Sequence, residues 1–340
     1  MDIPSQSESM RDLWEKAIPA STEAALFGGG PEHMIDALER FTAGSVCPGL
    51  ALLEMPLLGE PVYDVLVGSY GPAIRQAGRL EDASQTAAQA AIDWAKSLDP
   101  AKNVVLFLER DGSVEGNQKA GVHCRHHGDL DVMDEFFTAL GEPGRAVQYR
   151  AVAERLPEGW NAEYAAVFPG RPGSKTRLEL SPDDAARERI ARDPNHLRAC
   201  FDAMGFTAYD DALLENAARF VDMSTANTLQ FDILPDGTLG GTFSVASLIE
   251  GNGAQFGTFF EPGGVVARVC EDYERLGAAD GRWRLVEECL QARTRTVLDV
   301  TGFQNWLTLL IPNCVKAKWI DGELQPAKFY LLMSVRVQKV

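Results

Sequence analysis

The 340-residue chain lacks most of the marks by which a sequence declares its chemistry. Its six cysteines, Cys47, Cys124, Cys200, Cys270, Cys289 and Cys314, are scattered without a CxxC pair, so they read as free thiols in a reducing cytoplasm. No apolar run approaches the roughly eighteen residues of a membrane span. The start, MDIPSQSESM, lacks the basic-then-apolar layout of a secretion signal. Cations are scarce: 32 Lys and Arg stand against 49 Asp and Glu, a net charge of −17. That balance argues against nucleic-acid and anionic-membrane partners, which select a basic surface. Any anion site built from these few cations has to be local and internal. Gly28-Gly29-Gly30 lacks a preceding strand and a following Gly-Lys-Ser/Thr, so it reads as a loop rather than a phosphate cradle. His123-Cys124-Arg125-His126-His127 has no second Cys/His cluster to complete four-coordination, so no zinc site is expected. G-x-S-x-G and DDxxD-type acidic clusters are also missing.

What the chain has is period-two alternation. In PAKFYLLMSVRVQ, Phe329, Leu331, Met333, Val335 and Val337 share one strand face, while Lys328, Tyr330, Leu332, Ser334, Arg336 and Gln338 share the other. One face is greasy, and the other carries cations, a phenol and hydroxyls. The same division recurs in four earlier hairpins, LALLEMPLLGEPVYDVLVGS, NVVLFLERDGSVEGNQKAGVHCRHH, AEYAAVFPGRPGSKTRLELS and NTLQFDILPDGTLGGTFSVAS. The expected turns are Gly59-Glu60-Pro61, Asp111-Gly112, Pro169 to Gly173, Pro235-Asp236-Gly237 and, in the fifth hairpin, Asp321-Gly322. Helical spacing falls between the hairpins, as in Val132, Met133, Phe136, Phe137 and Leu140, in Leu197, Cys200, Phe201 and Met204, and in Val266, Val269, Cys270, Tyr273 and Leu276. Helices are also expected around Ser9–Ile18, His33–Phe41 and Ala83–Ser97, and Ser181-Pro182-Asp183-Asp184 predicts a capped helix start. Ten strands in one open sheet would strain its twist, whereas closure removes the edges. The expected fold is therefore α/β (α+β): a closed antiparallel ten-stranded barrel of αββα repeats, polar inside and surrounded by helices. The rival is an open antiparallel sheet whose polar face binds a peptide or small ligand without catalysis.

Five ββ units with intervening helices resemble the ABBA prenyltransferase barrel, whose members move an isoprenoid from its diphosphate to an electron-rich acceptor. KAKWIDGELQPAKFYLLMS is similar to the last hairpin of the cyanobactin-type peptide prenyltransferases, SKTRLELSPDD to their basic strand, and LQFDILPDG to their inner Phe-Asp-Phe-like strand. The resemblance implies one barrel domain over residues 1–340 and a dimethylallyl or geranyl-type diphosphate donor. It also implies an aromatic small molecule or precursor peptide as acceptor, with Mg2+ assisting through the diphosphate. The chain departs from the pattern in carrying no diagnostic residue-level signature and in its longer N-terminal stretch.

Ionising an allylic diphosphate requires positive charge on the leaving group and a dry, electron-rich cage for the carbocation. With no acidic magnesium cluster, the diphosphate-binding candidates are Lys119, His123, Arg125, Lys175, Arg177, Lys316, Lys318, Lys328, Tyr330 and Arg336, each set at period-two spacing on one strand face. Glu54 fits the place of the acid that orients or deprotonates the acceptor, with Glu109 as its alternative. Asp232 and Glu179 are rival acids that lie among the cations and could serve as their counter-ions.

Overall fold

The computed structural model describes residues 14, 18–28, 50–70, 86–99, 102, 104–110, 121–169, 175–250, 256–299 and 302–339. Twelve strands form among them: β1 (Leu50–Pro56), β2 (Asp64–Tyr70), β3 (Val105–Arg110), β4 (Gly121–Arg125), β5 (Trp160–Val167), β6 (Thr176–Pro182), β7 (Ala226–Ile233), β8 (Leu239–Leu248), β9 (Gln291–Asp299), β10 (Gly302–Ile320), β11 (Glu323–Leu324) and β12 (Lys328–Lys339). Ten of them run in the order β10-β12-β1-β2-β3-β4-β5-β6-β7-β8, every neighbouring pair is antiparallel, and β8 pairs back onto β10. The ring is closed. The open polar face that a non-catalytic docking sheet would need is therefore an interior wall.

The five expected hairpins supply the ten barrel strands. Asp321 (φ 51°) and Gly322 (φ 84°) both adopt the left-handed region between the paired Ile320 and Glu323, the two-residue geometry an Asp-Gly turn favours. That turn makes only the short β10–β11 hairpin; the chain then passes through Gln325 to Ala327 into β12. Strand β9 was not anticipated and pairs with the first half of β10 outside the ring. The Asp111-Gly112 turn and Gly170 to Gly173 of the third turn lie outside the described residues, as do most of Ser9–Ile18 and all of His33–Phe41.

The period-two pattern divides as its chemistry requires. Phe329, Leu331 and Met333 point outward and are fully buried under helices, while Lys328, Tyr330 and Leu332 alternate with them on the inner wall. The covering helices are α1 (Ala20–Leu26), α2 (Thr86–Ser97), α3 (Leu130–Ala139), α4 (Pro143–Ala153), α5 (Asp184–Arg192), α6 (Asn195–Met204), α7 (Asp211–Asp222), α8 (Phe256–Phe260) and α9 (Val265–Arg275), with a 3₁₀ helix at Gly281–Cys289. Each longer helix lays a stripe on the barrel wall: Val132, Met133, Phe136 and Phe137 from α3, and Val266, Val269, Cys270 and Tyr273 from α9. The start of α5 differs from expectation by two residues. Ser181 and Pro182 finish β6, and the Asp183 carboxylate caps the helix by accepting from the Ala186 N–H. Cys124, Cys200, Cys270, Cys289 and Cys314 are buried free thiols. No helix among the described residues is long and apolar enough to cross a membrane.

Candidate active site

Because the ring closes, strand register decides which inner-wall side chains meet. Across β10 and β12, Lys316 stands opposite Lys328 and Cys314 opposite Tyr330. Tyr330 stands opposite Glu54 on β1, and Glu54 opposite Asp64 on β2. Phe107 on β3 faces His123 on β4, and Arg177 on β6 faces Asp232 on β7. Residues hundreds of positions apart in sequence thus surround one cavity of about 270 Å³, whose wall includes Glu54, Glu109, His123, Arg177, Lys316 and Tyr330.

One part of this interior is strongly cationic. The Arg177 guanidinium lies 3.5 Å from Asp232 and 4.7 Å from the Phe168 ring centroid, and Lys175 approaches Asp232 at 3.7 Å. Lys328 bridges Glu54 and Asp64, the latter at 3.3 Å. The buried Lys316 ammonium sits 4.8 Å from the Tyr330 ring centroid and 3.5 Å from the Gln230 amide oxygen. Lys318 is half-buried on the next inner position of β10. These charges shape one another. Burial pulls the Lys318 pKa down to about 8, helped by Arg177, Lys316 and Lys328. Lys316 is likewise lowered by burial and by its cationic neighbours against the pull of Glu54. Burial raises the Glu54 carboxyl, but Lys328 and Lys316 outweigh it and hold the group well below the usual carboxylate range. Asp232 therefore serves Arg177 and Lys175 as a counter-ion, while Lys316 and Lys318 have no carboxylate within ion-pair distance among the described residues.

The remaining wall is aromatic and weakly polar. The Tyr330 phenol is buried, its pKa raised by that burial and by the Glu54 charge, and its hydroxyl lacks a hydrogen bond of good geometry. Tyr164 packs on Phe107 at 5.8 Å between ring centroids, and His123 stands edge-on to both Tyr164 and Phe168. His123 and Glu109 are hydrogen-bonded at 2.9 Å, Nε2 to Oε2. Glu179 accepts a hydrogen bond from Gln230. Arg125 reaches the cavity from β4, but its side chain is 47% exposed and lies 3.4 Å from Glu163.

The ring thus gathers Glu54, His123, Arg125, Arg177, Lys316 and Tyr330 on the cavity wall, with Lys175, Lys318, Lys328 and Asp232 linked to them by charge or register. Lys119 lies outside the described residues, and so does the Arg336 side chain, whose backbone pairs with Leu307. Sequence reasoning passed over Asp64, Phe107 and Tyr164; Phe107 lies at period two from Glu109 on β3, whereas β2 and β5 carry no residue it named. Among the described residues no group of three or more His, Cys, Asp or Glu could hold a metal ion.

No family model matches the chain, and no curated protein sequence matches it. Solved structures do match, across nearly the whole length. 6-Dimethylallyltryptophan synthase from Micromonospora olivasterospora, in complex with DMASPP and Trp, superposes with a TM-score of 0.55 at 12% identity, covering 95% of this chain and 97% of that one. 5-Dimethylallyl tryptophan synthase from Streptomyces coelicolor, also with DMASPP and Trp, gives 0.52 at 14% identity over 98% and 96%. PriB, in a binary complex with product diphosphate, gives 0.50 at 12% over 96% and 94%. The fold is the ABBA prenyltransferase barrel.

Proposed function

We propose that this protein transfers an isoprenoid of the dimethylallyl or geranyl class from its diphosphate to an electron-rich aromatic group, either of a small molecule such as an aromatic amino acid or of a peptide side chain. The observation that carries the reading is the set of cations, Arg177, Lys316, Lys318 and Lys328, converging on the barrel interior in a protein whose net charge is −17. Concentrating like charges there is unfavourable until an anion arrives. Barrels of this fold are found in complex with DMASPP or with product diphosphate, which agrees with that anion being a diphosphate.

On this reading Lys316, Lys318 and Arg177 bind the diphosphate, and Lys328 holds Glu54 in place beside it. As the allylic C–O bond breaks, the developing negative charge on the leaving group meets fixed ammonium and guanidinium groups that need no reorganisation. The faces of Tyr330, Tyr164 and Phe107 surround the allyl cation and keep water from it. On the cavity wall Glu54, Glu109 and Glu179 are engaged by Lys328, His123 and Gln230, and no carboxylate cluster suited to a metal is gathered among the described residues, so Mg2+ would enter as the companion of the diphosphate, adding charge neutralisation there.

Calorimetric titration with DMASPP tests the reading. Saturable micromolar binding is expected, and Lys316→Ala or Arg177→Ala should each weaken it about tenfold or more, the range of one lost charge-assisted hydrogen bond. Indifference of the protein to DMASPP would remove the donor from the proposal. Binding without transfer to tryptophan, tyrosine or indole would leave a ligand-binding barrel instead.

A further inference from the structure

Alkylating an aromatic ring leaves a cationic σ-adduct that must lose a proton inside the cavity, and the acids on the wall are not equally fitted to take it. Glu54 is committed: Lys328 holds it directly, and Lys316 adds a second positive charge nearby. A carboxylate so stabilised is a weak base. Glu109 is placed differently. It lies on β3 with its side chain only 8% exposed and is hydrogen-bonded at 2.9 Å to His123, whose side chain is 4% exposed. The imidazole is held edge-on between Tyr164 and Phe168, at 5.5 and 5.6 Å between ring centroids, so its orientation is set by packing as well as by the carboxylate. Both members of the pair line the same cavity as Tyr330 and Lys316. Gly121, on the same strand face, leaves room for this arrangement: a Cβ there would come within 2.9 Å of His123 Nε2 and 2.7 Å of the Phe168 ring.

We infer that His123 is the proton acceptor of the transfer step and that Glu109 positions it, a role that rests on the proposed prenyl transfer. In the step, the allylic C–O bond breaks and its electron pair leaves on the diphosphate. A π pair of the acceptor ring forms the new bond to the allyl carbon. The ring C–H pair then restores aromaticity, and its proton goes to the imidazole nitrogen not engaged by Glu109. The carboxylate balances the imidazolium through Nε2–H until the proton passes to solvent with product release.

The experiment compares the wild type with His123→Ala, Glu109→Gln and Glu54→Gln in transfer from dimethylallyl diphosphate to tryptophan, tyrosine or indole. The readouts are kcat, affinity for DMASPP, and the isotope effect on kcat of the proton that is lost: ring deuterium where carbon is alkylated, D2O where nitrogen or oxygen is. His123→Ala and Glu109→Gln should lower kcat about 100-fold or more, the range of a lost general base. They should introduce an isotope effect absent from the wild type and leave DMASPP affinity within about twofold. Glu54→Gln should introduce no isotope effect, and Glu109→Asp should regain part of the rate. If the first two variants turn over with no isotope effect, or lose DMASPP binding in proportion to rate, the inference is overturned while prenyl transfer stands. If the wild type transfers to none of the three acceptors, the two fall together.

Discussion

Donor affinity should fall as pH rises through about 8, because of Lys318. Burial and the neighbouring Arg177, Lys316 and Lys328 depress this ammonium from its ordinary 10.5 to about 8. A depressed lysine is charged below its pKa and neutral above it. At pH 7 Lys318 is therefore about nine-tenths cationic, and at pH 9 about one-tenth. A bound diphosphate supplies the counter-charge that the cluster lacks and returns the pKa toward its ordinary value, so binding at pH 9 must draw in a proton. Between pH 7 and pH 9 the DMASPP Kd should rise about tenfold, with close to one proton taken up per ligand at the upper end. The ligand contributes little to this slope, since the last phosphate ionisation lies near pH 6. Calorimetry in buffers of different ionisation enthalpy measures both quantities. Lys318→Arg keeps the charge but does not titrate, so it should bind tightly with a flat profile; Lys318→Gln should bind weakly with a flat profile. A wild-type Kd that is level from pH 7 to 9, or a slope that survives in both variants, would refute the account.

Other consequences are open to simpler measurement. Lys328→Ala removes the partner of a buried carboxylate and should destabilise the fold by about 3 kcal/mol in urea, most of it recovered in the Lys328→Ala/Glu54→Gln double variant. Glu54 lies below its ordinary 4.5, so its contribution is present above that pH and lost as pH falls toward the folded value; the double variant should lose this part of the acid transition. Gly28 has φ +68°, and a Cβ there would collide with the Pro61 carbonyl oxygen, so Gly28→Ala should cost about 3 kcal/mol of stability without changing DMASPP affinity. Gly121→Ala should instead act on the acceptor side, displacing Phe168 and His123 and lowering kcat while donor affinity holds.

The barrel strands were legible because two local signals agreed. Alternation placed Phe329, Leu331 and Met333 opposite Lys328 and Tyr330, and turn residues such as Asp321-Gly322 marked the reversals. Inward-facing residues could be named for the same reason, since period two assigns a face without reference to any partner. Their neighbours could not be named, because that depends on register around a closed ring, and each pairing there is long-range. Nothing in the sequence shows that Lys316 stands opposite Lys328 or that β8 returns to β10, and the register shift between Pro312 and Cys314 changes which β10 side chains reach the interior. The assignment of His123 illustrates the cost. From its own strand it reads as one more cation beside Arg125; only the β3–β4 pairing brings Glu109 to it, the contact on which its proposed role as proton acceptor rests. The same closure makes room for the proposed anion site in an acidic chain. The carboxylates outside the barrel would act on a diphosphate through water and salt that screen them, whereas Lys316 and Lys318 would act across a few ångströms in a buried interior.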